Sequence, residues 1–143
     1  MSQLLDITVH AERGAPVQRL TRAPVHATGV TGDVPRVKEH RQVAVVAREA
    51  WDKACAELGA PVPWTARRAN FLIDGIDLKE TTGKRLRIGP VLLEITGETK
   101  PCGEMDRQHP GLQAALKPDW RAGVICHVLE TGEVKIGDAV ELI

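Results

Sequence analysis

Short apolar runs recur along the chain, separated by turn-forming residues. The runs LLDITV (4–9), RQVAVVA (41–47), NFLI (70–73), RLRI (85–88), VLLEIT (91–96), GVICHVL (123–129), EVKI (133–136) and AVELI (139–143) have β-type composition. Thr-Gly dipeptides at 28–29, 31–32, 82–83, 96–97 and 131–132 punctuate them, and glycine supplies the positive φ that chain reversal needs. Many short strands at this spacing predict a barrel or sandwich. LRIGPVLLEI (86–95) and VKIGDAVELI (134–143) echo one another, and both predict strand, tight turn, strand. Two stretches have helical periodicity instead. In REAWDKACAELG (48–59), Trp51, Ala54, Cys55 and Leu58 share one face, with Gly59 and Pro61 as the stop. In PGLQAALKP (110–118), Leu112, Ala115 and Leu116 form a shorter face. Residues 14–40 are poor in apolar side chains and predict loop, with a strand near PVHATGV.

Composition narrows the class. A chain of 143 residues fits one domain over 1–143 and buries roughly 70% of its extended surface without disulfides or structural metal. Its formal net charge is zero, which argues against nucleic acid as main partner. Three tryptophans and one phenylalanine are too few for a base-stacking platform. The N-terminus MSQLLDITVHAER lacks a signal-peptide pattern, and no run approaches the roughly 20 apolar residues of a membrane span. Three irregularly spaced cysteines are not a disulfide framework. A cytoplasmic setting is expected, with no membrane partner, and the oligomeric state stays open.

The cysteines differ in context. Cys55 lies on the apolar helix face and Cys126 shares a strand face with Val124 and Val128, so both are expected in the core. Cys126 and His127 are expected to point to opposite faces, which argues against one shared metal. Cys102 sits in ITGETKPCGEMD (95–106), behind a predicted Thr96-Gly97 turn and between Pro101 and Gly103. Pro101 stiffens the approach, so the thiol is presented from a narrow loop. Lys100 and Arg107 favour its thiolate, whereas Glu98, Glu104 and Asp106 oppose it. Any stabilising cations must come from elsewhere. Arg41, Arg67, Arg68 and Arg121 each stand near a strand start, and guanidinium groups suit phosphate and carboxylate. His10, His26, His40 and His109 lie in polar or loop contexts, each open as a general base.

Taken in order, GVTGD, HRQVAVV, RRANFLIDGIDL, LEITGETKPC, PGL and WRAGVICHVLETGEVKIGD resemble the MOSC domain family, named for the C-terminal domain of molybdenum cofactor sulfurases. The resemblance is strongest over 29–143. It implies a mainly β, barrel-like fold with a few short helices. It implies that Cys102 carries sulfur or ligates molybdenum, and that Arg67, Arg68 and Asn70 contact the phosphate or pterin of molybdenum cofactor. Asp33 and Arg41 fall in the other matching segments, among the cofactor-binding candidates. Val34-Pro35 follows Asp33 where relatives often carry a histidine, and Ala122 replaces a common glycine. Three functions follow from the resemblance. One is a cofactor-dependent reductase of N-hydroxylated compounds, served by an electron-donor protein. Another is a persulfide carrier served by a cysteine desulfurase. The third is a degenerate anion-binding domain with Cys102 idle.

Overall fold

The computed structural model describes residues 2–36 and 38–143. Met1, and Val37 within the predicted loop over 14–40, lie outside the described residues. The apolar runs become strands β1 (Leu4–Val9), β5 (Val43–Ala47), β6 (Phe71–Ile73), β7 (Arg85–Ile88), β8 (Val91–Glu98), β9 (Val124–Glu130), β10 (Gly132–Lys135) and β11 (Val140–Leu142). The loop-rich region adds β2 (Gln18–Leu20), β3 (Arg22–His26) and β4 (Gly29–Val30). Helix α1 spans Arg48–Leu58 and ends at Gly59, whose φ of 76° gives the left-handed stop. Helix α3 is Leu112–Leu116, and α2 (Glu104–Gln108) was not expected from the pattern. Among the described residues, no helix is long and apolar enough to cross a membrane.

The fold is mainly β, but the expected barrel does not close through its ladders. Eight strands form one sheet in the order β11-β7-β8-β9-β5-β6-β1-β2, and β10-β3-β4 form a second. Contact between the β11 end and β1 is limited to one isolated bridge, Gln3 to Ala139, and a few backbone bonds such as Leu4 N to Asp138 O at 2.9 Å. Gly137 N donates to Leu4 O at 2.8 Å and Val140 N to Ser2 O at 3.0 Å, so the contact is confined to the turn into β11 and the first residues of the chain. The echo holds as strand, turn, strand in both copies, but the second copy is not a paired hairpin. Ile88 pairs with Val91 in a β7–β8 hairpin, whereas β10 pairs with β3 and β11 with β7. Similar sequences thus enter different sheets. Thr96-Gly97 is likewise not a turn. It lies inside β8, where the register with β9 shifts between Ile95 and Gly97, as at a β-bulge.

β5 explains the architecture. All five of its residues are buried, as expected for a strand covered on both faces. Val43, Val45 and Ala47 join Phe71, Ile73, Ile95, Val124 and Cys126 in one core, which also takes Ala23, Val25 and Val134 from the smaller sheet. Ala44 and Val46 face the second core, where Trp51, Ala54, Trp64, Met105, Leu112 and Leu116 place the helices. Gly123 admits the close approach of β9 to β5. It has φ 96°, and a Cβ there would stand 2.0 Å from Val45 O and 3.0 Å from Val45 C. Gly123→Ala is therefore expected to cost about 3 kcal/mol or more, near 10 °C in Tm. Gly97→Ala, with nothing within 4 Å of the added carbon, is expected to stay within about 0.5 kcal/mol. Thermal unfolding of the pair checks both.

Candidate functional site

The site begins with a carboxylate. Asp33 follows β4, and only 3% of its side chain is exposed. Its Oδ1 accepts the backbone N–H of His10 at 3.1 Å and lies 3.3 Å from His10 Nδ1. Its Oδ2 accepts from Arg36 Nε and from Asn70 Nδ2, each at 3.0 Å. One side chain thus ties the end of β1, the loop after β4 and the start of β6. Asn70 is fully buried. Its Oδ1 accepts the Ala44 N–H at 3.0 Å and its Nδ2 also reaches Thr8 O at 3.3 Å. All its polar atoms are spent on protein, so its contribution is to hold Asp33 and β5 in place.

Next to this hub stands a 3-10 turn, Trp64–Arg67. Trp64 is buried and donates its indole N–H to Asp6 Oδ2 at 2.8 Å, which anchors the turn. Arg67 is half-buried and donates its Nε–H to Ala122 O at 3.0 Å. Arg68 follows at φ 59°, a left-handed position uncommon for a side chain of this size, and donates to Ala15 O. Arg41 ends another 3-10 turn, Glu39–Arg41, and is exposed.

Cys102 lies between β8 and α2 and is exposed. Its segment is tied at several points. Thr99 N–H donates to Gly123 O at 2.9 Å, and Cys102 O accepts from Met105 N at 3.0 Å. Met105 is buried in the helix-side core, and Gln113 Nε2 reaches Pro101 O at 3.3 Å. The acids of this segment are also engaged. Glu104 pairs with Arg107 at 2.8 Å, and Asp106 accepts the Gln113 N–H at 2.9 Å. Cys126 is fully buried, and desolvation pushes its thiol pKa up. Cys55 is partly buried, with its Sγ 3.5 Å from Val62 O. Cys102 is the one exposed thiol of the three.

Electrostatics link the parts. Arg67 has its pKa lowered to about 10, first by burial and then by the like charges of Arg36 and Arg41, while Cys102 acts in the opposite sense. The pKa of His10 is lowered by burial, raised by Asp33, and lowered by Arg68 and Arg36. Arg36 thus acts on both groups, and a continuous basic region runs from Cys102 through Arg67 to Asp33 and His10. Among the sequence candidates, Cys102 and Arg67 stand toward one end of it and Arg68, Asn70 and Asp33 toward the other, while Arg41 acts on Arg67 and lines a cavity with His10. Sequence reasoning missed Arg36, for which the available signal was its position three residues after Asp33. It also gave His10 no preference over the other histidines, because its partners lie far along the chain.

A mainly β scaffold carrying an exposed cysteine beside clustered arginines is the class that this geometry defines. The family model for the MOSC domain matches residues 11–141, so the chain belongs to the MOSC domain family. Solved structures agree at the level of fold. The YUAD protein from Bacillus subtilis superposes with a TM-score of 0.85 at 19% identity, covering 99% of this chain and 96% of that one. YiiM from Escherichia coli gives 0.74 at 16% identity, covering 99% and 69%. YiiM from Geobacillus stearothermophilus gives 0.72 at 16% identity, covering 100% and 75%. No curated protein matches the chain.

Proposed function

We propose that this chain binds molybdenum cofactor, with the Cys102 Sγ as a thiolate ligand to the metal and Arg36, Arg41 and Arg67 facing the anionic end of the cofactor. The carrying observation is the basic region itself: Arg67 is half-buried, and Arg36 and Arg41 crowd it further. Gathering like charges is unfavourable unless an anion arrives to compensate them. The donor set fits a metal that arrives on its own organic ligand. Among the described residues, no group of three or more His, Cys, Asp or Glu side chains could hold a metal ion unaided, and a soft thiolate suits a redox metal. Thr99 Oγ1, buried and without a hydrogen-bond partner, lies three residues before the thiol as a further polar group.

When bound, the cofactor would supply two-electron redox chemistry at the metal, as for reduction of N-hydroxylated compounds. The chain's residues would do the rest. The arginines bind and orient the anion, and Asp33 and Asn70 hold one of those arginines in register. The tied segment over 99–105 presents the Cys102 Sγ. Electrons would come from a partner protein. The exposure of Cys102 favours a second reading, a persulfide carrier. In that step its thiolate attacks the outer sulfur of a desulfurase persulfide, the new S–S bond forms on Cys102, and the desulfurase thiolate leaves.

One comparison tests both readings. Wild type and Cys102→Ser are expressed in cells that make the cofactor, and molybdenum and pterin are measured in each. The expected result is metal and pterin in the wild type and loss of most of the metal in the variant. Metal-free protein that acquires a Cys102 persulfide from a desulfurase would select the second reading. If neither result is seen, both readings fall.

A further inference from the structure

A cavity of about 400 Å³ opens beside the hub, lined by His10, Arg13, Val34, Arg36, Lys38 and Arg41. Four of these six side chains are permanent cations at neutral pH. Asp33, the carboxylate beside them, is occupied by His10, Arg36 and Asn70. Among the described residues, Arg13, Lys38 and Arg41 make no ion pair with a carboxylate, whereas Arg36 pairs with Asp33 at 3.0 Å. Such a concentration of one sign in a concave site focuses field toward an anion. His10 is the one group lining it that can change charge near neutral pH. Its side chain is 12% exposed, and its Nδ1 lies against Asp33 at 3.3 Å. An Nδ1–H donated to Asp33 leaves Nε2 as the atom able to take up a proton.

We infer that this cavity is a site for a doubly charged tetrahedral oxyanion, and that His10 takes up one proton when the oxyanion binds. The cofactor reading enters only in naming the natural ligand, which would be the phosphate end of the cofactor; a free oxyanion would be recognised by the same chemistry. The linkage follows from the groups that face His10. Asp33 from the loop after β4 favours its charged form, while Arg36 from that loop and Arg68 from the turn before β6 oppose it, together with burial. Arg13, Lys38 and Arg41 share the cavity. An entering dianion offsets the cations and supplies an acceptor for the new N–H. It therefore raises the proton affinity of His10, and by reciprocity protonation raises affinity for the anion.

Sulfate is the probe, because it stays fully ionised across the range where histidine titrates. Its binding is measured at constant ionic strength from about pH 5 to about pH 8, and the titration of His10 is followed by NMR with and without saturating sulfate. In the wild type, the His10 midpoint is expected to lie below that of an ordinary histidine and to rise with sulfate. Sulfate affinity should fall by up to about tenfold per pH unit between the free and bound midpoints. His10→Gln keeps a donor for Asp33 but cannot titrate, and its sulfate affinity should be flat over the same range. A midpoint that sulfate leaves unmoved would overturn the inference, as would an equal pH slope in the variant or no sulfate binding at all. The wild-type NMR titration decides the matter even if the variant folds poorly. Protein that lacks pterin after isolation would sink the cofactor reading and leave this one standing. Pterin-loaded protein whose cofactor-free form shows pH-independent sulfate binding would do the reverse.

Discussion

Asp33→Asn should lower stability by about 3 kcal/mol, near 10 °C in Tm, and should disable the oxyanion cavity as well. The amide keeps the shape of the carboxylate but loses its charge, and one of its two acceptor oxygens becomes a donor. In the native site, both oxygens face donors: the His10 N–H and ring on one, Arg36 Nε and Asn70 Nδ2 on the other. Whichever way the amide is turned, an N–H meets an N–H in a site only 3% exposed. The larger cost is Arg36, which keeps its charge, loses its partner and still repels Arg67. Its side chain is 20% exposed, so partial solvation holds the cost at the lower end of the range for a broken buried pair. Denaturant unfolding gives the difference, and a loss below about 1 kcal/mol would show that Asp33 is not the organiser claimed here. A double-mutant cycle refines the point: Arg36→Gln should cost less in the Asp33→Asn background than in the wild type, because its unpaired charge is then already a liability.

How much of this was visible beforehand depends on the range of the interactions. β1 and β7 occur at their expected bounds, and α1 stops at Gly59, because side-chain periodicity and a left-handed glycine are local signals. Strand partners are not local. Nothing in VKIGDAVELI could show that its two strands join different sheets, since that depends on β3 and β7 offering edges. α2 escaped notice because its one buried residue is Met105, and a single anchor has no period. Gly97 reads as a turn in the sequence because a bulge and a turn use the same residues. The candidate site was legible as residue types, with Cys102 and the arginines standing out, but its organiser was not. Asp33 draws its partners from 23 and 37 positions away, and only Arg36 lay close enough to suggest a pair.

Arg67→Met should separate binding from stability in the opposite sense to Asp33→Asn. The guanidinium keeps its charge at neutral pH, but its pKa falls from the ordinary arginine range to about 10, which corresponds to on the order of 3 kcal/mol against the charged form. A methionine of similar reach removes that penalty and fills the same space. It also gives up the Nε–H bond to Ala122 O, a loss of about 1 kcal/mol. The cofactor-free variant is therefore expected to be as stable as the wild type, or more stable by about 1 kcal/mol. Molybdenum and pterin retained after expression should fall about tenfold or more, since a charge-assisted contact to phosphate is lost. The pH dependence has a definite sign. Between about 10 and the ordinary arginine value, the unfolded chain holds the Arg67 proton more tightly than the folded one. Wild-type stability therefore gains from this group as pH rises through that window, and the difference between wild type and Arg67→Met should narrow there. A variant that is destabilised by about 2 kcal/mol at neutral pH yet retains its cofactor would make Arg67 a structural residue and remove it from the anion-binding set. A stable variant that loses the cofactor would mean that this fold maintains a strained cation for the sake of the anion it receives.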